Sequence, residues 1–104
     1  MLKERFGSEE AWLIWDGRPN KAARRTVPSV LHGKTAAMID RIANTATLRD
    51  CLNYPPGWRF KELRGKQRGT YQVRIDGQYR VRFQWDPTHG AVGIVVGDFH
   101  GDDD

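Results

Sequence analysis

Alternating side chains define two strands in the second half of the chain. In residues 71–75 and 79–85, large apolar side chains alternate with polar ones. Because successive strand residues point to opposite faces, this pattern predicts two half-buried strands. The apolar sets share a face only if Ile75 lies opposite Tyr79, which leaves a three-residue loop. A two-residue Asp-Gly turn would mix the faces unless a bulge restored the register.

The polar face of this predicted hairpin is cationic, because it presents Arg74, Arg80 and Arg82. No acidic residue alternates with these arginines within the two strands. Polar residues at alternate positions usually mean only a solvated sheet face, and that interpretation stays open. Three arginines without an acidic neighbour favour instead a surface that binds phosphate groups.

Helices are predicted in the first half of the chain. Ser8 is suited to cap a short helix, and Gly17 is suited to end it. A second helix is predicted to begin at Pro28. Its apolar face carries Leu31, Met38 and Ile42, with Thr35 and Thr45 beside them. Thr47 then caps a last short turn through Asp50.

The remaining segments complete the predicted architecture. Residues 1–6 are predicted as an edge strand, and residues 58–63 and 91–98 as two further strands of the sheet. The connection between the helices is basic and contains Lys21, Arg24 and Arg25. Helices followed by consecutive strands predict an α+β fold, in which a small antiparallel sheet packs against two N-terminal helices. Residues 1–104 are predicted to form one domain, with residues 101–104 as a frayed acidic tail.

Composition narrows the classes of partner and location. The formal net charge is +4 and the pI is about 9.6, which favours nucleic acid or another polyanion as partner. The single cysteine, Cys51, excludes an internal disulfide and fits a reducing compartment. The sequence lacks an apolar run of membrane-spanning length and a signal-peptide pattern at its start. We therefore expect a cytoplasmic protein that has no membrane partner.

Three ordered motifs resemble those of a known family. They are RFKELRG at residues 59–65, GTYQVRIDGQYRVRFQW at residues 69–85, and VGDFH at residues 96–100. They resemble the R-L-x-x-L-K-G, G-x-W-S-I-R-I-N-x-x-W-R-I-x-F-x-W and V-D-Y-H patterns of the HigB-type toxins in the RelE/ParE superfamily. The resemblance covers nearly the whole chain and is strongest over residues 58–83.

This resemblance implies a toxin of a bacterial toxin–antitoxin system. Toxins of this type occupy the ribosomal A site and cleave translated mRNA on the basic face of their sheet. Attack by the ribose 2′-OH gives a 2′,3′-cyclic phosphate and a 5′-hydroxyl, with no metal or cofactor. The implied partners are a helix-turn-helix, HigA-like antitoxin, the 30S subunit with its mRNA, and operator DNA reached only through the antitoxin.

Matching the motifs residue by residue implies a catalytic set. Arg80 takes the place of the W-R-I arginine and would stabilise charge on the phosphate. Arg64 replaces the lysine of L-K-G, and Lys61 stands where some family members carry a histidine. Asp98 and His100 match the closing D-Y-H, and His100 is the candidate for proton transfer because imidazole titrates near neutral pH. The general base is left unassigned.

A second set of residues is implied to contact RNA or the ribosome. It comprises Arg59, Lys66, Arg68, Arg74, Arg82 and Phe99. Phe99 stands where many family members have tyrosine, so it cannot exchange a proton but can stack on a base. No metal-binding residue is predicted, because the histidines and Cys51 show no metal-ligand spacing.

Two other functions stay open from the sequence. One is a non-enzymatic inhibitor of DNA gyrase, as in the ParE branch of the superfamily. The absence of tyrosine at position 99 leaves this function open. The other is a degenerate toxin that only binds its antitoxin. Under the nuclease hypothesis, Arg80→Ala is expected to abolish growth arrest and leave the fold intact, because Arg80 is predicted to be exposed.

Overall fold

Three helices precede a four-stranded antiparallel sheet in the computed structural model, which describes residues 3–99. The helices are α1 (Glu9–Asp16), α2 (Lys21–Thr26) and α3 (His32–Ala43). The strands are β1 (Lys61–Glu62), β2 (Thr70–Arg74), β3 (Tyr79–Asp86) and β4 (Gly90–Asp98), and they neighbour one another in chain order. Short 3₁₀ turns occupy Lys3–Arg5, Ser29–Leu31, Leu48–Asn53, Pro56–Trp58 and Gly65–Gln67. The predicted α+β fold is confirmed.

The predicted caps of the first helix and of the last turn are present. The Ser8 hydroxyl accepts a hydrogen bond from the Ala11 amide at 3.2 Å, and Gly17 ends α1 in the left-handed conformation with φ 76°. The Thr47 hydroxyl likewise accepts from the Asp50 amide at 3.2 Å. Within residues 3–99, every helix is too short or too polar to cross a lipid bilayer.

The predicted N-terminal edge strand is wrong over the residues that the structure describes. Lys3–Arg5 forms a 3₁₀ turn, and Phe6 makes a single parallel bridge to Ile94. The Arg5 side chain explains this path, because it donates to the carbonyl of Ala91 at 2.9 Å and to that of Ala43 at 3.2 Å. These bonds tie the segment across the sheet and α3. Residues 1 and 2 of the prediction lie outside the described part of the chain.

The basic connection between the two predicted helices is itself a helix, α2. The Asn20 side chain accepts from the Ala23 amide at 2.9 Å and so caps its first turn. Ala23 is the one buried residue of this short helix. The sequence therefore has no apolar periodicity from which α2 could be predicted. The strand predicted over residues 58–63 shrinks to β1, because Pro56–Trp58 forms a turn and Arg59 adopts a left-handed conformation.

The predicted register of the central hairpin is confirmed. Arg74 pairs with Arg80, and the Ile75 amide donates to the Tyr79 carbonyl at 2.9 Å, so the loop contains residues 76–78. The apolar face of the sheet packs against the helices. The core between them contains Ile14, Met38, Ile39, Ile42, Val73, Ile75, Val81, Phe83 and Ile94. This packing leaves the arginine face of β2 and β3 on the side away from the helices.

Candidate active site

A cleft of about 250 Å³ lies on the arginine face of the sheet. It is lined by Arg59, Lys61, Gln72, Arg74 and Arg80. Strand pairing assembles it, because Lys61 of β1 pairs with Gln72 of β2, and Arg74 of β2 pairs with Arg80 of β3. Among the described residues, this lining has four cationic side chains and no acidic one. Such a lining attracts an anion and repels a cation.

Arg80 is buried, so the prediction that it is exposed is wrong. Its relative accessibility is 1%. One guanidinium nitrogen donates to the carbonyl of Asp76 at 2.6 Å and to that of Tyr79 at 3.1 Å, and the other reaches the carbonyl of Gly77 at 3.5 Å. A guanidinium carries five donors in a rigid fork, so it can hold these loop carbonyls while it lines the cleft. Arg80 therefore braces the β2–β3 loop as well as the site.

The β2–β3 loop is fixed by two further charged groups. The Asp76 carboxylate accepts hydrogen bonds from the amides of Tyr79 at 2.8 Å and Gln78 at 2.9 Å. These bonds, chiefly the one from Tyr79, hold the pKa of the Asp76 carboxyl below its usual value. From α3, the Lys34 ammonium donates to the Ile75 carbonyl at 2.5 Å. The loop that anchors Arg80 is therefore held from both faces of the sheet.

Arg74 presents an unsatisfied donor. Its Nε is buried and has no hydrogen-bond partner within residues 3–99, although the residue itself is half-buried and lines the cleft. A buried polar group left without a partner typically costs about 1–3 kcal/mol. Because Nε itself is buried, an anion in the cleft would contact the exposed part of the Arg74 side chain, and would reach this N–H only if that side chain moved.

Arg59 is held in a strained backbone conformation at the mouth of the same cleft. Its φ is 49° and its ψ is 47°, and within residues 3–99 it is the one non-glycine residue with positive φ. The left-handed conformation costs a residue with a Cβ about 1 kcal/mol. The strain turns the chain from the Pro56–Trp58 turn into β1 and places a cationic side chain in the cleft lining.

Arg82 and Phe99 lie together beside the cleft. Arg82 is 8% exposed, and its Nε donates to Gln72 Oε1 at 2.9 Å. Its guanidinium lies 4.2 Å from the centre of the Phe99 ring. Arg82 lies on the predicted arginine face, but that face is covered at this position, because the Phe99 ring and Gln72 both contact Arg82.

Three of the predicted RNA or catalytic cations lie elsewhere. Arg64, Lys66 and Arg68 are exposed on the connection between β1 and β2. Arg64 and Arg68 line a separate shallow depression with Glu62, Leu63 and Gly65, of about 350 Å³. Arg64 is therefore absent from the lining of the cleft that holds Lys61 and Arg80.

The closing motif is only partly placed. Asp98 pairs with Tyr79 in the ladder, so its side chain projects from the same side of the sheet as Tyr79, opposite the arginine face. Its carboxylate accepts a hydrogen bond from the Gln78 amide group at 2.7 Å. His100 lies outside the described residues.

The cleft thus joins members of both predicted sets with one residue that the sequence analysis missed. It combines Lys61 and Arg80 with Arg59 and Arg74, and adds Gln72, which is 2% exposed. The alternation over residues 71–75 puts Gln72 on the polar face, and the hairpin register puts it opposite Arg82, so the sequence did contain a signal for this residue.

Comparison with known proteins agrees with this architecture. Residues 19–100 match a family model described as "RelE-like toxin of type II toxin-antitoxin system HigB". The chain belongs to the family of HigB-like toxins. Over 61 residues it is 34% identical to Toxin HigB-1 of Vibrio cholerae serotype O1, and this match covers 59% of the chain. It spans 63% of that HigB-like relative, which is less than two-thirds of its length.

Proposed function

We propose that this HigB-like chain is the toxin of a type II toxin–antitoxin system and acts as a ribosome-dependent endoribonuclease. The observation that carries the proposal is the cleft lined by four cations, with no acidic side chain in its lining among the described residues. A phosphodiester of mRNA is a ligand class that fits this positive charge. Membership in the HigB-like family directs the choice toward mRNA on the ribosome.

The proposed reaction uses the hydroxyl of the substrate itself as nucleophile. The ribose 2′-OH attacks the adjacent phosphorus and loses its proton, and the bond to the 5′-oxygen breaks as that oxygen gains a proton. The products are a 2′,3′-cyclic phosphate and a 5′-hydroxyl, so atoms and charge balance without a metal. Lys61, Arg74 and Arg80 stabilise the negative charge that develops on the phosphate oxygens.

The proposed proton-transfer residue and the proposed partners are inferred from the resemblance to the HigB-type toxins. His100 is assigned to proton transfer by its place in the VGDFH motif, while the general base has no assignment. Asp98 is connected to the loop that anchors Arg80 by the hydrogen bond that its carboxylate accepts from Gln78. The proposed partners are the 30S A site with its mRNA and a helix-turn-helix, HigA-like antitoxin, which would bring the toxin to operator DNA. Translation places this activity in the cytoplasm.

The test is primer extension on a reporter mRNA from cells that briefly express the protein. Lys61→Met is the informative variant, because it removes a cleft cation that is only half-buried. Arg80→Ala is a poor choice, because it would remove a buried side chain and the donor that the carbonyls of Asp76 and Gly77 share, and so destabilise the fold. Arg18→Gln is the control, since it removes one charge from a side chain that is 83% exposed outside the cleft.

Cuts within translated codons, present for wild type and Arg18→Gln and absent for Lys61→Met, are the expected result. Growth arrest with uncut mRNA and damaged DNA would contradict the nuclease and support an inhibitor of DNA gyrase. Uncut mRNA with normal growth would contradict both activities and leave a protein that only binds its antitoxin. Thermal melting of each purified variant separates loss of activity from loss of fold.

A further inference from the structure

The Phe99 ring lies directly on the backbone of Gly97. A Cβ added at Gly97 would stand 3.0 Å from Phe99 Cζ and 3.3 Å from both Cε atoms of the ring. Contacts this short would force the ring to move. The backbone of Gly97 lies outside the left-handed region, so its conformation does not require glycine. A methyl group at position 97 would therefore displace the ring from its present place by a few tenths of an ångström.

A second contact fixes the same ring. The Arg82 guanidinium lies 4.2 Å from the ring centre, at cation–π distance. Arg82 is held in turn by Gln72, whose Oε1 accepts from Arg82 Nε at 2.9 Å. Arg82 is 8% exposed and Gln72 is 2% exposed, so this pair is packed and has little freedom to rotate. The Arg82 guanidinium, which Gln72 holds in place, and the Gly97 backbone together form a seat for Phe99.

The seat adjoins the candidate active site. Gly97 pairs with Arg80 across β3 and β4, and Gln72 pairs with Arg82 across β2 and β3. Arg80 and Gln72 both line the cleft. Gly97 and Arg82, which contact the Phe99 ring, are therefore each paired directly with a residue that lines the cleft. Phe99 lies beside the cleft on the same face of the sheet.

We propose that Gly97, with the Arg82–Gln72 pair, positions Phe99 beside the cleft for the reaction on RNA. Gly97 acts by the absence of its side chain, and Arg82 acts by stacking on the ring instead of by binding a phosphate. Both are positioning residues, since they reach the substrate only through Phe99. The proposal rests on the proposed ribonuclease function. It adds that the maximal rate of cleavage depends on the position in which the seat holds Phe99.

The test combines kinetics with a direct observation of the seat. Single-turnover cleavage of mRNA on purified ribosomes is measured for wild type, Gly97→Ala, Phe99→Ala and the double variant. Phe99→Tyr keeps the ring and serves as the conservative variant. Gly33→Ala is the control for adding a methyl group, because a Cβ there meets nothing within 4 Å. Proton NMR of the Arg82 side chain reports stacking, because a ring current displaces resonances of groups that lie over a ring.

Gly97→Ala is expected to lower the maximal rate about ten-fold, since small misplacements at active sites cost this much or more. Phe99→Ala is expected to lower it to a similar extent, and the double variant no further than the larger single effect. Gly33→Ala should retain the wild-type rate. Phe99→Tyr, which keeps the ring on its seat, should cleave faster than Phe99→Ala. The displaced Arg82 resonances should be present in wild type and lost in Gly97→Ala, while melting temperatures stay close to one another.

Two results would overturn the seat. One is an undisplaced set of Arg82 resonances in wild type, and the other is a double variant whose rate falls by the product of the single effects. Full activity of Gly97→Ala would overturn its positioning role even with the resonances as expected. A wild-type protein that cuts no mRNA on ribosomes would overturn the proposed function instead. In that case the Arg82 resonances of wild type and Gly97→Ala would still test whether Arg82 stacks on the Phe99 ring and whether Gly97 is needed for that stacking.

Discussion

At the scale of single residues, the site combines groups that are poorly satisfied in the free protein. Arg74 buries an N–H without a partner among the described residues, and Arg59 adopts a left-handed backbone. Each feature costs free energy of folding, and both side chains line one cleft. Their shared position is the reason to connect the two costs with binding of an anion.

Arg74→Met separates this binding role from a structural one. The change removes a buried unpaired donor, so we expect the free energy of unfolding to stay constant or rise by up to about 1 kcal/mol. Cleavage of mRNA should fall by at least about ten-fold, because a group that stabilises the transition state is lost. Urea denaturation and single-turnover cleavage measure the two effects. A clear loss of stability would show that Arg74 supports the fold and that its Nε is satisfied in solution.

Arg59 offers a matched pair of variants. Arg59→Gly and Arg59→Ala both remove the cation, so both should weaken cleavage to the same extent. Only glycine relieves the left-handed backbone, which has φ 49°, and we expect Arg59→Gly to be more stable than Arg59→Ala by about 1 kcal/mol. Equal stability of the two in urea denaturation would argue against strain at this position. Unequal cleavage would mean that the backbone conformation, and not the cation alone, serves the reaction.

Sequence alone could predict the faces of these residues but not their surroundings. Side-chain parity was sufficient to place Arg74, Arg80 and Arg82 on one face, because the period of a strand is two. Parity carries no information on what covers that face. Arg80 folds onto loop carbonyls and Arg82 lies against Phe99, and both contacts depend on local geometry that alternation does not encode.

At the scale of elements, an aspartate side chain caps the loop at each end of β3. Asp76 accepts from the amides of Gln78 and Tyr79, and Asp86 accepts from those of Thr88 and His89. Backbone hydrogen bonds lower the pKa of both carboxyls. A carboxyl with a lowered pKa stabilises the folded state above its ordinary pKa of 3.8 and loses that contribution as the pH falls.

Asp76→Asn tests this pH dependence. Asparagine keeps the accepting oxygen but does not titrate, so the melting temperature of the variant should fall less steeply than that of wild type below about pH 4. The residual slope is expected to shrink further when Asp86→Asn is added. Differential scanning calorimetry from pH 7 to pH 2.5 measures both slopes. Parallel curves for wild type and Asp76→Asn would contradict a native-state role of the ionised carboxylate.

The elements themselves were predictable wherever the burial pattern was long enough to show a period. The strands β2, β3 and β4 each bury at least two side chains, and they lie within one residue of their predicted ends. The helix α2 buries only Ala23, and β1 contains two residues, so neither has a period. The 3₁₀ turn at Lys3–Arg5 depends on bonds from Arg5 to residues 38 and 86 positions away, which no local pattern contains.

At the scale of the whole molecule, the sheet separates the hydrophobic core from the candidate active site. One face packs on the helices and forms the core, and the other carries the cleft and the seat of Phe99. The loop that bears Arg64, Lys66 and Arg68 adds a second group of cations at the β1–β2 end. The two groups lie only a few residues apart in the sequence, but the fold assigns them to different depressions. We expect them to act on different steps.

Lys61 and Arg64 distinguish these steps, because each belongs to the predicted catalytic set but only Lys61 lines the cleft. Lys61→Gln should lower the rate at saturating ribosome concentration. Arg64→Gln should instead raise the ribosome concentration needed for half-maximal rate and leave the saturating rate unchanged, because an exposed cation contributes to docking. Its affinity for the ribosome should also depend less steeply on salt, by about one unit of the logarithmic slope.

The measurement is single-turnover cleavage over a range of ribosome and salt concentrations, with wild type and both variants in parallel. A low saturating rate for Arg64→Gln would place Arg64 in the reaction, and would require the β1–β2 connection to close over the cleft on the ribosome. A normal saturating rate for Lys61→Gln would remove Lys61 from the charge-stabilising group and leave that role to Arg74 and Arg80. Both variants lose one positive charge, so a difference between them reflects the position of the lost cation and not the total charge. The comparison therefore shows whether Lys61 and Arg64 act on cleavage or on ribosome binding.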